Sequence, residues 1–316
     1  MNETKDLQTM HFPKRALFLV NPVAGRKTIQ KYLSDCIRAL MDAGYLVTTM
    51  VTSARGEAAQ YARVYGKFYD LVVCAGGDGT LNETVTGLVH GGRPVPVGYV
   101  PCGTTNDFCA SRGLPRDISG AIEHIASGTR RIYDIGCFED QYFTNVALFG
   151  AFSWMAYTTD QERKNRLGYG AYVLDGMRDL SRLKPIHMKL TADGETLEDD
   201  YLLGAVSNAK SLGGFLDLSG QGVELADGLL ELVLVKAPHS LTDLDQLVRC
   251  VVANDFSAPW LTLRHAREIT VCNPPELQWS LDGEQSGFYE TAHIRVLPRF
   301  LELQGGEPRG KTGKES

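Results

Sequence analysis

The stretch Ala75-Gly76-Gly77-Asp78-Gly79-Thr80-Leu81-Asn82-Glu83 carries the strongest chemical signal in the chain. Three glycines within four positions let the backbone approach a phosphate closely, because no Cβ stands in the way. The helix that follows adds partial positive charge at its first amides. A tight strand-to-helix turn needs one glycine, so three with an acidic residue among them exceed that need. Asn21-Pro22-Val23-Ala24-Gly25 follows an earlier strand, and Gly103-Thr104-Thr105-Asn106-Asp107-Phe108 follows a later one. Each alone reads as a turn, since Asn, Gly and Pro are turn residues. Together they put three such loops on the edge of a parallel sheet where open α/β folds bind ligands.

Two acidic elements lie further on. Leu281-Asp282-Gly283-Glu284 follows Gln278-Trp279-Ser280, and by itself Asp-Gly reads as a hairpin turn. Gly222-Val223-Glu224-Leu225-Ala226-Asp227-Gly228-Leu229 reads by itself as an Asp-Gly turn before a strand. A third match is rejected. Gly305 to Thr312 fits the phosphate-loop pattern G-x-x-x-x-G-K-T letter for letter, but only Gly313 to Ser316 follow, too few for the helix that the pattern needs. Pro308 also removes one of the amides.

These loops need elements to hold them. Residues 16–130 alternate strand and helix: Ala16–Val20, helix Ile29–Ala43, Leu46–Val51, helix Gly56–Tyr65, Leu71–Ala75, helix Leu81–Val89 and Val95–Val100. Strands separated by helices predict a parallel sheet wrapped on both faces. Beyond about residue 130 come short strands at Phe143–Leu148, Ile186–Ala192, Tyr201–Ser207, Leu229–Val235, Ile269–Cys272 and His293–Leu297, with one helix at Tyr169–Leu183. That pattern predicts an antiparallel sandwich. The expected organisation is α/β: a nucleotide-binding domain at 1–130 and a β-rich domain at 131–297. The segment 298–310 is expected to pack back on the first, and the active site to lie in the cleft between them.

Asn-Pro-x-x-Gly, Gly-Gly-Asp-Gly-Thr-x-Asn-Glu and Gly-Thr-x-Asn-Asp-Phe, in this order, resemble the soluble bacterial diacylglycerol kinase family and its relatives, the sphingosine and ceramide kinases. The glycine-rich element alone is shared with NAD kinases and phosphofructokinases, so the two flanking motifs make the resemblance specific. It covers the chain from Leu17 to about Leu303. It implies ATP as phosphate donor, Mg²⁺, and a lipid hydroxyl as acceptor. The implied ATP-contacting positions are Asn21, Pro22, Gly25, Thr52, Gly76, Gly77, Asp78, Gly79, Thr80, Asn82, Glu83, Thr104 and Asn106. Arg26-Lys27 stands where the family often has one lysine, which leaves open which side chain meets phosphate. Phosphoryl transfer needs a carboxylate to orient and deprotonate the attacking hydroxyl. The resemblance gives that role to Glu284, with Asp282 orienting it or holding the catalytic Mg²⁺. It also implies a structural Mg²⁺ held by the Asp227 side chain and the backbone oxygens of Glu224 and Leu229. Magnesium prefers few protein oxygens plus water, so one carboxylate suffices.

Composition agrees with such an enzyme and excludes other classes. The 316 residues are 43% apolar and 22% charged, as in a globular protein of two domains. A net charge of −6 argues against nucleic acid as partner. Seven cysteines without a Cys-x-x-Cys pair argue for a reducing cytosol rather than a disulfide framework. No apolar run reaches the roughly 20 residues that span a bilayer, so a lipid is expected to be met from the membrane surface, by a cytoplasmic protein peripheral to it. Arg163-Lys164-Arg166, Arg178-Arg182-Lys184 and Arg264-His265-Arg267 could meet anionic head groups. Phe149, Phe152, Trp154, Met155, Tyr157 and the helix Tyr169–Leu183 could line an approach for acyl chains. Diacylglycerol, phosphatidylglycerol, a polyprenol or a sphingoid base all fit, and the family suggests a homodimer. A kinase for a soluble metabolite such as NAD would share the glycine-rich element but leave Asn106-Asp107 and Asp282-Gly283-Glu284 unexplained. A non-catalytic lipid-binding protein would be expected to lose Asp78, Asp227, Asp282 and Glu284, and all are present.

Overall fold

The computed structural model describes residues 13–25, 27–104, 106–150, 185–212, 216–272, 274 and 277–305. Two compact units emerge. One comprises Met1–Thr104, Pro115–Arg131 and Glu302–Ser316, the other Thr105–Leu114 and Ile132–Leu301.

In the first unit, β1 (Lys14–Val20), β2 (Tyr45–Val51), β3 (Leu71–Gly76) and β4 (Val97–Pro101) form a parallel sheet in the order β4-β3-β1-β2. Ala16 to Val20 and Leu71 to Ala75 are all buried, as strands covered on both faces require. The covering helices are α1 (Ile29–Asp42), α2 (Glu57–Tyr65), α3 (Asp78–His90) and α5 (Ile118–Ala126). Ile29, Cys36 and Leu40 place the buried stripe of α1 against Phe18, Val73 and Val100. Leu303 and Gln304, at the end of the chain's last strand, run parallel beside Val97 and Gly98. The buried Gln304 side chain donates to the Ile125 carbonyl (2.9 Å) and meets Tyr45 Oη at 3.1 Å.

The second unit is antiparallel, apart from the short helix α4 (Asp107–Ser111) and α6 (Leu241–Ala253). Its strands are β5 (Arg130–Phe138), β6 (Gln141–Phe143), β7 (Val146–Gly150), β8 (Ile186–Ala192), β9 (Glu195–Ser207), β10 (Ser211–Leu212), β11 (Leu216–Asp217), β12 (Leu230–Lys236), β13 (Leu261–Ala266), β14 (Glu268–Cys272), β15 (Gln278–Leu281), β16 (Glu284–Phe288) and β17 (Thr291–Gln304). The 13-residue β9 organises it: residues 195–201 pair with β8, and residues 203–207 pair with β7 and β12. Two apolar clusters result. One surrounds Trp279, Phe138, Phe143 and Phe149; the other lies where Leu244, Leu247 and Val251 of α6 meet Leu203, Val233 and Val235.

Several elements differ from the sequence reading. Phe143–Leu148 is not one strand, because Thr144 and Asn145 form a turn between β6 and β7. Helices α4, α5 and α6 and strands β5, β13, β15 and β16 were not anticipated. Arg26, Phe152, Trp154, Met155, Tyr157, the Tyr169–Leu183 helix, two of the three basic clusters and the chain after Gly305 lie outside the described residues. No helix among the described residues is long and apolar enough to cross a membrane.

Candidate functional site

The glycine-rich loops of the first unit meet at the carboxyl ends of β1, β3 and β4. Asn21 is their knot. Its amide N–H donates to the Ala75 carbonyl at 2.9 Å, its Nδ2 donates to Thr80 Oγ1 at 3.1 Å, and its Oδ1 accepts from the Val23 amide at 3.1 Å. Gln30 Nε2 donates to the Pro22 carbonyl at 3.2 Å. Gly25 has φ +53°, and a Cβ there would strike the Cys102 carbonyl, so no other residue type lets the first loop close on the third. Cys102 in turn donates its amide to the Gly76 carbonyl at 2.7 Å. A Cβ on Gly77 would stand 3.4 Å from Gly103 Cα, and one on Gly76 would meet the Thr80 side chain.

Gly77 caps α3 in extended geometry, its carbonyl accepting from Thr80 and Leu81 at 3.0 and 3.1 Å. A helix leaves its first amides outside its own ladder, so Asp78 and Gly79 begin α3 with the positive dipole end at the loops. Tyr99 Oη donates to Asp78 Oδ1 at 3.5 Å, and Asn82 Oδ1 accepts from Thr86 at 3.4 Å. Glu83 has a structural use: Oε1 accepts the Gly56 amide at 2.8 Å and ties the loop after β2 to α3. Thr52, in that loop, is buried and donates its amide to Val20 at 2.9 Å. Glu57 completes the loop, and the Ser53 amide at 2.7 Å holds its carboxyl below the usual range. Thr104 is exposed. Beneath the loops, burial pushes the Cys102 thiol up to about 12 and the Cys36 thiol up to about 11.

The remaining candidates belong to the second unit. Leu281 and Glu284 pair across a two-residue turn in which Asp282 (φ +48°) and Gly283 (φ +89°) are both left-handed, the geometry that makes Asp-Gly a favoured hairpin loop. Trp279 anchors this hairpin between Phe138 and Phe149, with ring centroids 5.0 and 4.8 Å away. The Asp282 carboxylate points back into the Thr144–Val146 turn. Oδ2 accepts from Thr144 N (2.6 Å) and Thr144 Oγ1 (3.0 Å), and Oδ1 accepts from Asn145 N and Val146 N (both 2.9 Å). Four donors on one carboxylate make it an anchor for the turn, and Glu284, the first residue after the two-residue loop, stands exposed.

Asp227 lies exposed in the loop before β12, with Oδ1 accepting the Leu229 amide at 3.0 Å. Asp134 of β5 secures that loop from behind: Oδ2 accepts from Gly228 N (2.6 Å) and Oδ1 from Arg299 N (2.5 Å). Burial chiefly raises the Asp134 pKa, and the neighbouring Asp227 charge adds to it. The buried Glu231 stands opposite Ser207 and His265 in register, and burial pushes its carboxyl up to about 8. Among the described residues no three His, Cys, Asp or Glu side chains gather to hold an ion. Glu224, Asp227 and Leu229 share this one loop, with the Asp134 carboxyl beside Asp227.

Thus Asn21, Pro22, Gly25, Thr52, Gly76, Gly77, Asp78, Gly79, Thr80, Asn82, Glu83 and Thr104 share the first unit, while Asn106, Glu224, Asp227, Leu229, Asp282 and Glu284 share the second. Asn106 is buried, with φ +51°, and its carbonyl accepts the Ala110 amide at 3.2 Å. Sequence reasoning missed Asp134, Asn145, Asn208 and Arg112, which hold these groups. Asn208 joins two of the sites: its amide donates to the Asn145 carbonyl (3.0 Å), and its Nδ2 to the carbonyls of Asp134 (2.5 Å) and Leu225 (3.3 Å). The one available signal was an acid, Asp134, inside the otherwise apolar run Tyr133–Phe138. Of the basic clusters, Arg264 is committed to Glu195 at 3.1 Å.

Residues 15–138 match the diacylglycerol kinase catalytic domain, and residues 150–305 match the YegS C-terminal NAD kinase beta sandwich-like domain. The chain is 32% identical to the diacylglycerol kinase of Bacillus subtilis, over 90% of this chain and 97% of that protein. It is 31% identical to the diacylglycerol kinase of Staphylococcus aureus, over 92% of this chain and 90% of the relative. In fold, it is similar to a crystal structure of a diacylglycerol kinase from Bacillus anthracis, with a TM-score of 0.73 and 23% identity, covering 94% of this chain and 98% of the other. A further solved chain from that organism gives a TM-score of 0.79 at 25% identity, covering 96% and 98%.

Proposed function

Since the chain belongs to the diacylglycerol kinase family, phosphotransferases with an alcohol group as acceptor, we propose that it moves the γ-phosphate of ATP to the hydroxyl of diacylglycerol or a closely related lipid. One observation carries the reading. Three loops, from β1, β3 and β4, close on one another at the first unit's sheet edge, with no room for side chains at Gly25 and Gly76 and the start of α3 at their centre. Backbone and helix dipole there suit the phosphates of a nucleotide, and Asn21 and Thr80 fix the cradle's shape.

The two units divide the work in this reading. The first binds and orients the donor, and the second carries the lipid and the acid. Glu284 takes the hydroxyl proton as the lipid oxygen bonds to the γ-phosphorus, and the bond to the β-phosphate oxygen breaks to release ADP. Asp282, saturated by the Thr144–Val146 turn, orients that base instead of reacting. Asp227, with the Glu224 and Leu229 carbonyls, would hold Mg²⁺ and stiffen the loop before β12. Mg²⁺ bound with the nucleotide would supply charge neutralisation at its phosphates. The protein works at the cytoplasmic face of the membrane.

Incubation with γ-labelled ATP and Mg²⁺, offered either diacylglycerol in mixed micelles or NAD, tests this. Label is expected in phosphatidic acid. Label in NAD with none in lipid would overturn the proposal.

A further inference from the structure

We infer that Arg112 is a positioning residue for Glu284, acting through a single peptide group that it shares with Asp282; the inference rests on the reading of Glu284 as the base. Arg112 follows α4 and is only 4% exposed. Its Nη2 donates to the carbonyls of Thr144 and Asn208, each at 2.8 Å. Nη1 donates to Ser111 Oγ (2.8 Å) and Asn145 Oδ1 (3.2 Å). The guanidinium carbon lies 4.0 Å from the centre of the Phe108 ring and 5.2 Å from that of Tyr133. Phe108, the last residue of the third glycine-rich motif, is therefore the platform on which this cation rests.

The peptide between Thr144 and Asn145 is the key. Its oxygen accepts from Arg112, and its N–H donates to Asp282 Oδ1 at 2.9 Å. A cation on the oxygen and an anion on the hydrogen polarise the group in the same sense, so each contact strengthens the other. Turning that peptide would break both at once. The Asn145 side chain and main chain add a second link, since Oδ1 faces Arg112 while the amide faces Asp282. Because Asp282 is the first residue of the two-residue loop and Glu284 follows it, the angle of that peptide sets where the hairpin carries Glu284. Lysine cannot replace the fork, because a single ammonium cannot reach the Thr144 and Asn208 carbonyls and Asn145 Oδ1 in the planar geometry of a guanidinium.

A double-mutant cycle tests this. Arg112→Met keeps a long buried side chain and removes every donor. Its kcat is expected to fall on the order of 10- to 100-fold, with the KM for ATP within about twofold of the parent. In a Glu284→Gln background the same change should cost less than about twofold, because the group it positions is gone. An equal loss in both backgrounds overturns the inference and leaves the base assignment standing. Full activity of Glu284→Gln alone sinks both. If Arg112→Met does not fold, Arg112→Lys enters the same cycle, with a partial loss expected that again disappears beside Glu284→Gln; a loss that persists there overturns the inference.

Discussion

At the scale of single residues, the glycine-rich rim of the first unit rests on buried groups. Cys102 joins the second and third loops through its amide, and burial raises its thiol to about 12. An unfolded thiol ionises near about 8.5, so the native state holds its proton more tightly. That contribution to stability is complete below the unfolded value and is lost as pH rises toward 12. At pH 8, iodoacetamide should modify the exposed Cys272 at least ~100-fold faster than Cys102, as thiolate fraction and access dictate. Mapping the alkylated peptides over time checks this, and comparable rates would mean that the loops open freely. The residues legible in sequence were those whose local conformation is unusual. Gly25 and Gly76 are required by close approach, and Asp282-Gly283 by a left-handed turn. What each of them meets was not legible. The donors to Asp282 come from Thr144 to Val146, 136 to 138 positions away. Nothing in Ser111-Arg112-Gly113 marks Arg112 out, yet it is buried by partners up to 96 positions distant.

Among the elements, β1, β2, β3 and β4 with α1, α2 and α3 were readable, because β1, β3 and β4 are continuous apolar runs buried on both faces and α1 has a clear buried stripe. Parallel topology then forces their following loops to a common edge, which is why the rim could be placed before any contact was known. The second unit was less legible. Helix α6, capped by Ser240 accepting the Asp243 amide at 3.1 Å, lies among strands and buries only Leu244, Leu247 and Val251. β5 carries Asp134 in its middle, and β17 continues past the run His293–Leu297 through the exposed Pro298 and Arg299, which interrupt the apolar alternation that marks a strand in sequence. The loop before β12 was found as a turn, but its fastening to Asp134 was not. If that loop holds Mg²⁺, millimolar Mg²⁺ should raise the melting temperature of the nucleotide-free protein, and Asp227→Asn should remove most of that rise. Thermal scans with and without the ion decide it; an identical shift in both proteins would place the ion elsewhere.

For the whole molecule, the chain order is informative. The second unit takes in Thr105–Leu114, excised from the middle of the first, and the last strand carries the chain back so that Leu303 and Gln304 extend the parallel sheet. The third glycine-rich motif is thereby divided, with Gly103 and Thr104 in one unit and Asn106 to Phe108 in the other. On the proposed reading, this one motif is divided between the donor-binding and acceptor-activating parts, and the chain itself ties the two. Nucleotide binding and chemistry should then be separable by mutation. The most direct test is Glu284→Gln assayed with γ-labelled ATP and diacylglycerol, alongside its affinity for ATP by calorimetry. A fall in kcat on the order of 10²- to 10⁴-fold, with ATP affinity within about twofold of the parent, is predicted. Undiminished transfer of label to lipid by that variant would contradict it.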